Sequence, residues 1–269
     1  MNDQPGSAAT MRAMQQEGRV PDLPAAVLGR SADLSVASYN VHKAVGTDMR
    51  RDPARTIAVI AELGADIVAL QEVDRRFGAR RGVLDLDALR EATGLSPLEL
   101  PSRLGALAHG WHGNLLLLRD AEVEDARAVT LPGLEPRGAI VADLRVAGQP
   151  LRVIAAHLGL LRRSRLSQAR FLADEVAGSD GRPTILMGDL NEWRRGETCS
   201  LMPLRERLGA HRRAEPATAS FPARMPLLPL DRIIGCNRAE VSDIAPHVST
   251  LSRVASDHLP LGARLRILG

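Results

Sequence analysis

Six short stretches of this 269-residue chain each set a polar, chemistry-bearing side chain directly beside an apolar run. Asn40 follows Leu34-Ser-Val-Ala-Ser-Tyr39, Gln71-Glu72 follows Asp66-Ile-Val-Ala-Leu70, and His157 follows Val153-Ile-Ala-Ala156. Asp189-Leu-Asn191 ends the run that starts at Pro183, Asp231 ends Leu227-Leu-Pro-Leu230, and Asp257-His258 precedes the apolar residues 259–265. Runs of this kind read as buried strands, so each polar side chain is delivered to the rim of a sheet. Any one alone has a dull explanation, because Asn, Asp and His at strand ends commonly cap turns or the next helix. Taken together, Asn40, Glu72, Asp189, Asn191 and Asp257 offer oxygen donors, His157 and His258 add imidazoles, and no cysteine joins them. Such a set suits a hard divalent ion, Mg²⁺ or Mn²⁺, rather than zinc. A hard cation beside histidines and carboxylates is equipment for hydrolysing a phosphate ester, because charge builds up on phosphoryl oxygens that a metal and oriented donors neutralise. Enzymes lower such barriers by on the order of 20 kcal/mol while one side chain supplies a few, so a cluster is expected.

The elements that must position these residues follow from the periodicity. Pro53 opens a helical stretch with Ile57, Ile60, Ala61 and Leu63 on one face and Gly64 at its end, giving strand, helix, strand between residues 34 and 70. A second helix is expected near residues 86–92, then strands near 114–118, 127–131, 139–146 and 151–157. Helical spacing returns in Leu166, Ala169, Phe171, Leu172 and Val176, followed by a buried strand over 183–187. Residues 221–229 read as an ordered, proline-rich loop, and strands over 230–234, 240–244 and 259–265 close the chain. Antiparallel runs mixed with strand-helix-strand units predict two sheets packed together with helices outside.

Composition bounds the rest. Hydrophobic residues make up 45% and charged residues 25%, which is globular composition. Residues 1–30 are polar and rich in Ala, Gly and Pro, and read as a flexible leader ahead of one domain over 31–269. The leader lacks the apolar stretch of a secretory signal, and no run approaches the roughly 18–20 apolar residues of a membrane span, so a cytoplasmic location is the default expectation. Cys199 and Cys236 fit neither a disulfide scaffold nor a zinc site. Net charge is only +3, yet Lys43 is the single lysine among 35 basic residues. Arginine forks suit phosphate oxygens, while six aromatic residues in all argue against a base-stacking platform.

The motifs resemble a known family. Tyr39-Asn40-Val-His42, Leu70-Gln71-Glu72-Val-Asp74, Gly113-Asn114-Leu-Leu-Leu, Ala156-His157-Leu, Met187-Gly188-Asp189-Leu-Asn191-Glu192-Trp193, Leu230-Asp231-Arg232-Ile and Ser256-Asp257-His258-Leu-Pro260 resemble, in order, the endonuclease/exonuclease/phosphatase superfamily of deoxyribonuclease-I-like metal phosphoesterases. The resemblance runs from about residue 34 to residue 268. It implies a four-layer α/β sandwich, two mostly antiparallel β-sheets packed face to face and flanked by helices. It also implies that Glu72, helped by Asn40, holds the catalytic Mg²⁺, with Mn²⁺ as a substitute, and that Asp257 completes the metal or second-metal environment. Asp189 would orient or deprotonate the attacking water, Asn191 would position the water or a phosphoryl oxygen, and His157 and the His258–Asp231 pair would contact the phosphate. Spacing leaves the general base open between Asp189 and His258, because a His–Asp pair fits either job.

One departure bears on substrate. Some family nucleases carry an acidic residue two positions after the motif asparagine, where this chain has His42 and then Lys43. A positive pair suits a phosphate contact, against a plain loop role. Asn114 matches a family element beside the site, against a turn or strand role. Arg162, with Arg163 and Arg165, reads as a phosphate-contacting rim or a solvated charged loop, and so do Arg75, Arg76, Arg80 and Arg81. The substrate stays open between nucleic acid and a phospholipid or inositol phosphate, whose apolar lip residues 221–230 would supply, against a packing role for that segment. A monomer is expected. The alternative from another class is a binding protein that kept the fold and lost the reaction. It requires a decayed position among Glu72, His157, Asp189, Asn191, Asp231 and His258, and none is decayed. Neither G-x-S-x-G nor G-x-x-x-x-G-K-[ST] occurs, which disfavours a serine hydrolase or a nucleoside triphosphatase.

Overall fold

Alternation along each strand divides the apolar residues between two faces, and that division builds the layers. A computed structural model describes residues 33–75, 78–100, 104, 107–177, 181–210 and 218–268. In strand β1 (Asp33–Asn40) Leu34 and Val36 face one way while Ala37 and Tyr39 face the other. In β2 (Ile67–Gln71) Ile67 and Ala69 oppose Val68 and Leu70, and in β4 (Leu115–Leu118) Leu116 and Leu118 oppose Leu115 and Leu117. The set containing Val36, Ile67 and Leu116 meets Ile140, Leu144, Val153 and Ile185 from a second sheet. The opposite set packs on helices α1 (Pro53–Leu63) and α2 (Leu86–Thr93) through Ile57, Ile60 and Leu89. The outer face of the second sheet packs on α3 (Arg162–Ala177) and α4 (Met202–Arg207) through Ala169, Leu172 and Leu204. Three apolar cores therefore separate four layers, helix, sheet, sheet and helix, as the resemblance implies.

The first sheet has the order β10-β11-β1-β2-β4-β3, where β3 is Ser96–Pro97, β10 Ala239–Pro246 and β11 Leu261–Ile267. The second has the order β5-β6-β7-β8-β9, spanning Ala121–Leu131, Arg137–Val146, Gln149–His157, Thr184–Asp189 and Asp231–Gly235. Each sheet holds one parallel pair, β1 with β2 and β7 with β8, joined by the crossover helices α1 and α3. Register then decides what meets at the rim. Asn40 lies beside Gln71, and His157 beside Asp189, which in turn pairs with Asp231 across the antiparallel edge.

Local chemistry sets the helix ends. Asp52 accepts from the Arg55 amide at 2.9 Å ahead of Pro53, and Gly64 in the left-handed region closes α1. Several elements depart from the sequence reading. β5 starts at Ala121, six residues before the expected 127, because Ala121-Glu-Val-Glu-Asp125 is a mostly exposed edge with only two apolar residues to mark it. The closing strand starts at Leu261 rather than 259, since Leu259 donates instead to Ser220 and Pro260 has no amide to give. Helices α4 and α5 (Ser252–Ala255) are too short for periodicity to announce. The leader assigned to residues 1–30, and Arg76, lie outside the described residues.

Gly188 is the tightest point of β8. A Cβ there would stand 1.8 Å from the Ala156 carbonyl oxygen, a backbone atom that cannot swing aside. Gly188→Ala is expected to destabilise the fold by about 3 kcal/mol in denaturant titration. Gly148, in an open turn with nothing within 4 Å of an added Cβ, should cost about 1 kcal/mol on the same change. Equal losses at the two positions would contradict this account of β7–β8 packing.

Candidate active site

The site begins with a carboxylate that has almost no water. Asp189, at the end of β8, is 2% exposed. Asn40 Nδ2 donates to its Oδ2 at 3.0 Å, His157 Nε2 lies 3.3 Å from the same oxygen and His258 Nε2 lies 3.8 Å away. The Asn191 amide donates to Oδ1 at 3.0 Å. Burial pushes the Asp189 carboxyl up, but the facing His258 and His157, with hydrogen bonds from His157 and Asn40, outweigh it and hold the group well below the usual carboxylate range. The donors come from both sheets, since Asn40 ends β1 and His157 ends β7.

Behind His258 lies a second carboxylate. His258 Nδ1 is 2.8 Å from Asp231 Oδ2, which also accepts from the Ser220 hydroxyl. Burial pulls the His258 imidazole down, yet Asp231 and Asp189 together push it up to about 10. Burial alone favours a neutral Asp231, but His258 faces two carboxylates, so the proton resides on the imidazole. Phe221 packs tilted against this ring, 4.9 Å between centroids.

On the other flank, Glu72 follows β2 and its carboxylate pairs with Lys43 Nζ. Among the described residues no donor reaches its other oxygen. Burial raises the Glu72 carboxyl, but His157, Lys43 and His42 more than compensate and hold it below its ordinary value. Lys43 belongs to the turn His42–Ala44, in which three successive non-glycine residues have positive φ, at 45°, 58° and 58°. Strain of that kind persists only where surroundings over-determine it. Here the His42 amide donates to Asn40 Oδ1 at 3.0 Å and the Lys43 amide to the Glu72 carbonyl at 3.1 Å. Asp257 stands at the same turn, its Oδ1 3.8 Å from His42 Nδ1.

Of the residues expected from sequence, Asn40, Glu72, His157, Asp189, Asn191, Asp231 and His258 form one connected group at the rim, with His42, Lys43 and Asp257 beside it. Asn191 spends its side-chain amide on the Leu158 carbonyl at 3.0 Å, tying together the ends of β7 and β8. Asn114 is fully buried and donates to the Trp111 and Gly138 carbonyls at 3.0 and 2.9 Å, so it links the first sheet to the second rather than facing a cleft. Arg162 is exposed and donates to the Thr198 carbonyl on the loop beyond Asn191.

Sequence reasoning missed four partners. Arg137 Nη1 lies 2.9 and 2.8 Å from the two ring nitrogens of His157, while its Nη2 holds Glu135 at 2.9 Å. Ser256 donates to the Asn40 carbonyl at 2.7 Å, and Ser220 supports Asp231. Glu192 accepts from the Arg194 and Ser200 amides at 2.9 Å and faces Arg165, which fixes the loop after Asn191. Ser256 and Glu192 stood inside recognised motifs, whereas Arg137 and Ser220 carried no signal.

Among the described residues two groups offer themselves to a cation. Asp189, Asp231 and His258 bring ligand atoms within 4.8 Å of one another, but hydrogen bonds already use them and His258 carries a proton. Glu72 is ionised, with one oxygen free in a cleft it shares with Lys43, Asp74, Arg80 and His157. Its hard-oxygen chemistry fits an ion such as Mg²⁺. Residues 37–258 match the sequence model of the Endonuclease/Exonuclease/phosphatase family. The chain belongs to that family. Members of the family are phosphoesterases, and the described cluster occupies the part of the chain that matches. YbhP of Escherichia coli K12, an uncharacterised protein, is 31% identical over 258 residues, covering 86% of this chain and 96% of YbhP. The endonuclease/exonuclease/phosphatase protein of Beutenbergia cavernae is 25% identical with a TM-score of 0.63, covering 89% of this chain and 72% of that one. The mannosyl-6-phosphatase of Bacteroides thetaiotaomicron shares the fold at 17% identity and a TM-score of 0.62, covering 86% of this chain and 99% of its own.

The charge on His258 has a stability consequence. Its folded pKa is raised above the unfolded value of about 6.5, so its contribution is complete below that pH and is lost as pH rises through about 10. Asp231→Asn, which breaks the buried pair, should cost about 3 kcal/mol near neutrality. That deficit should shrink as the pH passes about 10, and thermal melts of both proteins across pH check it. A deficit that stays constant would mean His258 is not the charged partner.

Proposed function

We propose that this protein is a metal-dependent hydrolase of phosphate esters, splitting a phosphodiester or phosphomonoester bond by attack of water. The observation that carries the reading is the sharing of one buried carboxylate, Asp189, by His157, His258 and Asn40, next to the ionised Glu72. Glu72, with Asn40 and Asp257, would hold Mg²⁺ or Mn²⁺, which when bound neutralises charge on phosphoryl oxygens and acidifies water. His258 is already protonated at neutral pH, so it serves as a donor to a phosphoryl oxygen and not as the base. The acceptor for the water proton is then Asp189. An anionic phosphate that engages His157 and His258 weakens their hold on Asp189 and raises its basicity where it is needed. Asp231 keeps His258 charged and in one tautomer. Asn191 fixes the Asp189 carboxylate through its main-chain amide, and Lys43 and His42, on the turn beside Glu72, would contact the phosphate.

Nucleic acids, phospholipids and inositol phosphates all present the required ester, and the name of the Bacteroides protein adds sugar phosphates. The test uses bis-nitrophenyl phosphate. Parent protein should release nitrophenol in Mg²⁺ and fall silent in EDTA, and Asp189→Asn should lower kcat/KM by about 10²–10⁴. A parental rate in Asp189→Asn, or indifference to EDTA, would refute the assignment.

A further inference from the structure

Among the described residues, the exposed large hydrophobics are concentrated on one rim. Strand directions place the loops after β1, β2, β3, β7 and β8, the turn between β5 and β6, and the loops before β9 and β11 at the end of the sheets that carries the site. Of the thirteen exposed large hydrophobics among the described residues, every one except Val123 lies on these loops. Met49 is 81% exposed, Leu160 61%, and Met225 and Leu227 63% each. Leu160 and Leu161 begin three residues beyond His157, and Met225 and Leu227 precede Asp231 by a few residues. Exposed aliphatic side chains thus lie on the connections that adjoin both His157 and Asp231.

Arginines alternate with them. The rim reads Met49-Arg50-Arg51, Leu160-Leu161-Arg162-Arg163, Trp193-Arg194-Arg195 and Arg224-Met225-Pro-Leu227. Arg50, Arg51, Arg163 and Arg195 are exposed and have no ion pair to a described residue. Apolar tips next to unpaired cations, with a tryptophan among them, are what an interface between water and anionic lipid rewards. The aliphatic groups leave water at the acyl boundary while the guanidinium groups meet headgroup phosphates. Nucleic acid would repay the arginines but not Met49, Leu160, Met225 or Leu227. A protein partner seated here would cover the mouth of the site, whereas a bilayer presents a phosphoester into it.

We infer that the site-bearing rim docks on an anionic phospholipid bilayer, and that the substrate is a phosphoester of a lipid headgroup. The second half rests on the phosphoesterase reading above, and the docking stands without it. The test is sedimentation of the full chain with vesicles of phosphatidylcholine alone or with about 30% phosphatidylglycerol, at about 0.1 M salt. The parent should partition about tenfold better onto the anionic vesicles. Leu160→Ser/Leu161→Ser and Met225→Ser/Leu227→Ser should each reduce partitioning about fivefold, with melting and soluble-ester hydrolysis at parental values. Arg163→Gln/Arg195→Gln should reduce binding to the anionic vesicles alone. Failure of the parent to pellet with either vesicle, parental binding by the serine variants, or tighter binding to duplex DNA than to anionic vesicles would overturn the docking. A parent that pellets yet leaves bis-nitrophenyl phosphate intact in Mg²⁺ would support the docking and sink the catalytic reading instead.

Discussion

A single negative charge held away from water, on Asp189, governs how the two sheets meet. A buried carboxylate is tolerated only with donors and positive charge close at hand. Here the donors must come from different layers, with Asn40 from the first sheet and His157 from the second, while His258 arrives on the segment leading into β11. Sheet register, the bare backbone at Gly188 and the Ser256 bond to the Asn40 carbonyl all serve that convergence. Slipping β1 or β7 by one residue would turn its terminal side chain to the other face and leave the charge without partners.

The arrangement separates two kinds of charge along the rim. Asp189, His258 and Asp231 form a chain in which an imidazolium lies between carboxylates. Glu72 and Lys43 form another pair toward the cleft. It is notable chemically that the chain's one lysine is placed against Glu72. An arginine fork would take both carboxylate oxygens, whereas an ammonium group is a point charge that leaves one oxygen free. Glu72 is thereby kept ionised and still has an oxygen to offer.

Much of this was legible in the residue order. Period-two alternation exposed the strands, and polar residues at their ends marked the rim, so Asn40, His157, Asp189 and Asp231 could be named before any contact was known. The interior of the site was less legible. Arg137 is one of 34 arginines, and nothing in its neighbourhood sets it apart. Asn114 looks like a site residue by motif, yet its partners are main-chain carbonyls that no sequence displays. The left-handed run His42-Lys43-Ala44 contradicts local preference for non-glycine residues and exists because Asn40 and Glu72 hold it. Tertiary context overrode propensity where the chemistry is. The collection of exposed aliphatic side chains on one rim was likewise invisible until the strand directions were known.

The site turns on the imidazolium between Asp189 and Asp231. Nitrogen-15 spectra of the His258 ring, followed through alkaline pH, read its protonation directly. Both ring nitrogens should remain protonated from neutrality until the pH nears about 10, the value to which the two carboxylates push this group. A His258 ring that is neutral at pH of about 7, near its ordinary titration range, would contradict the shared-charge description of the site.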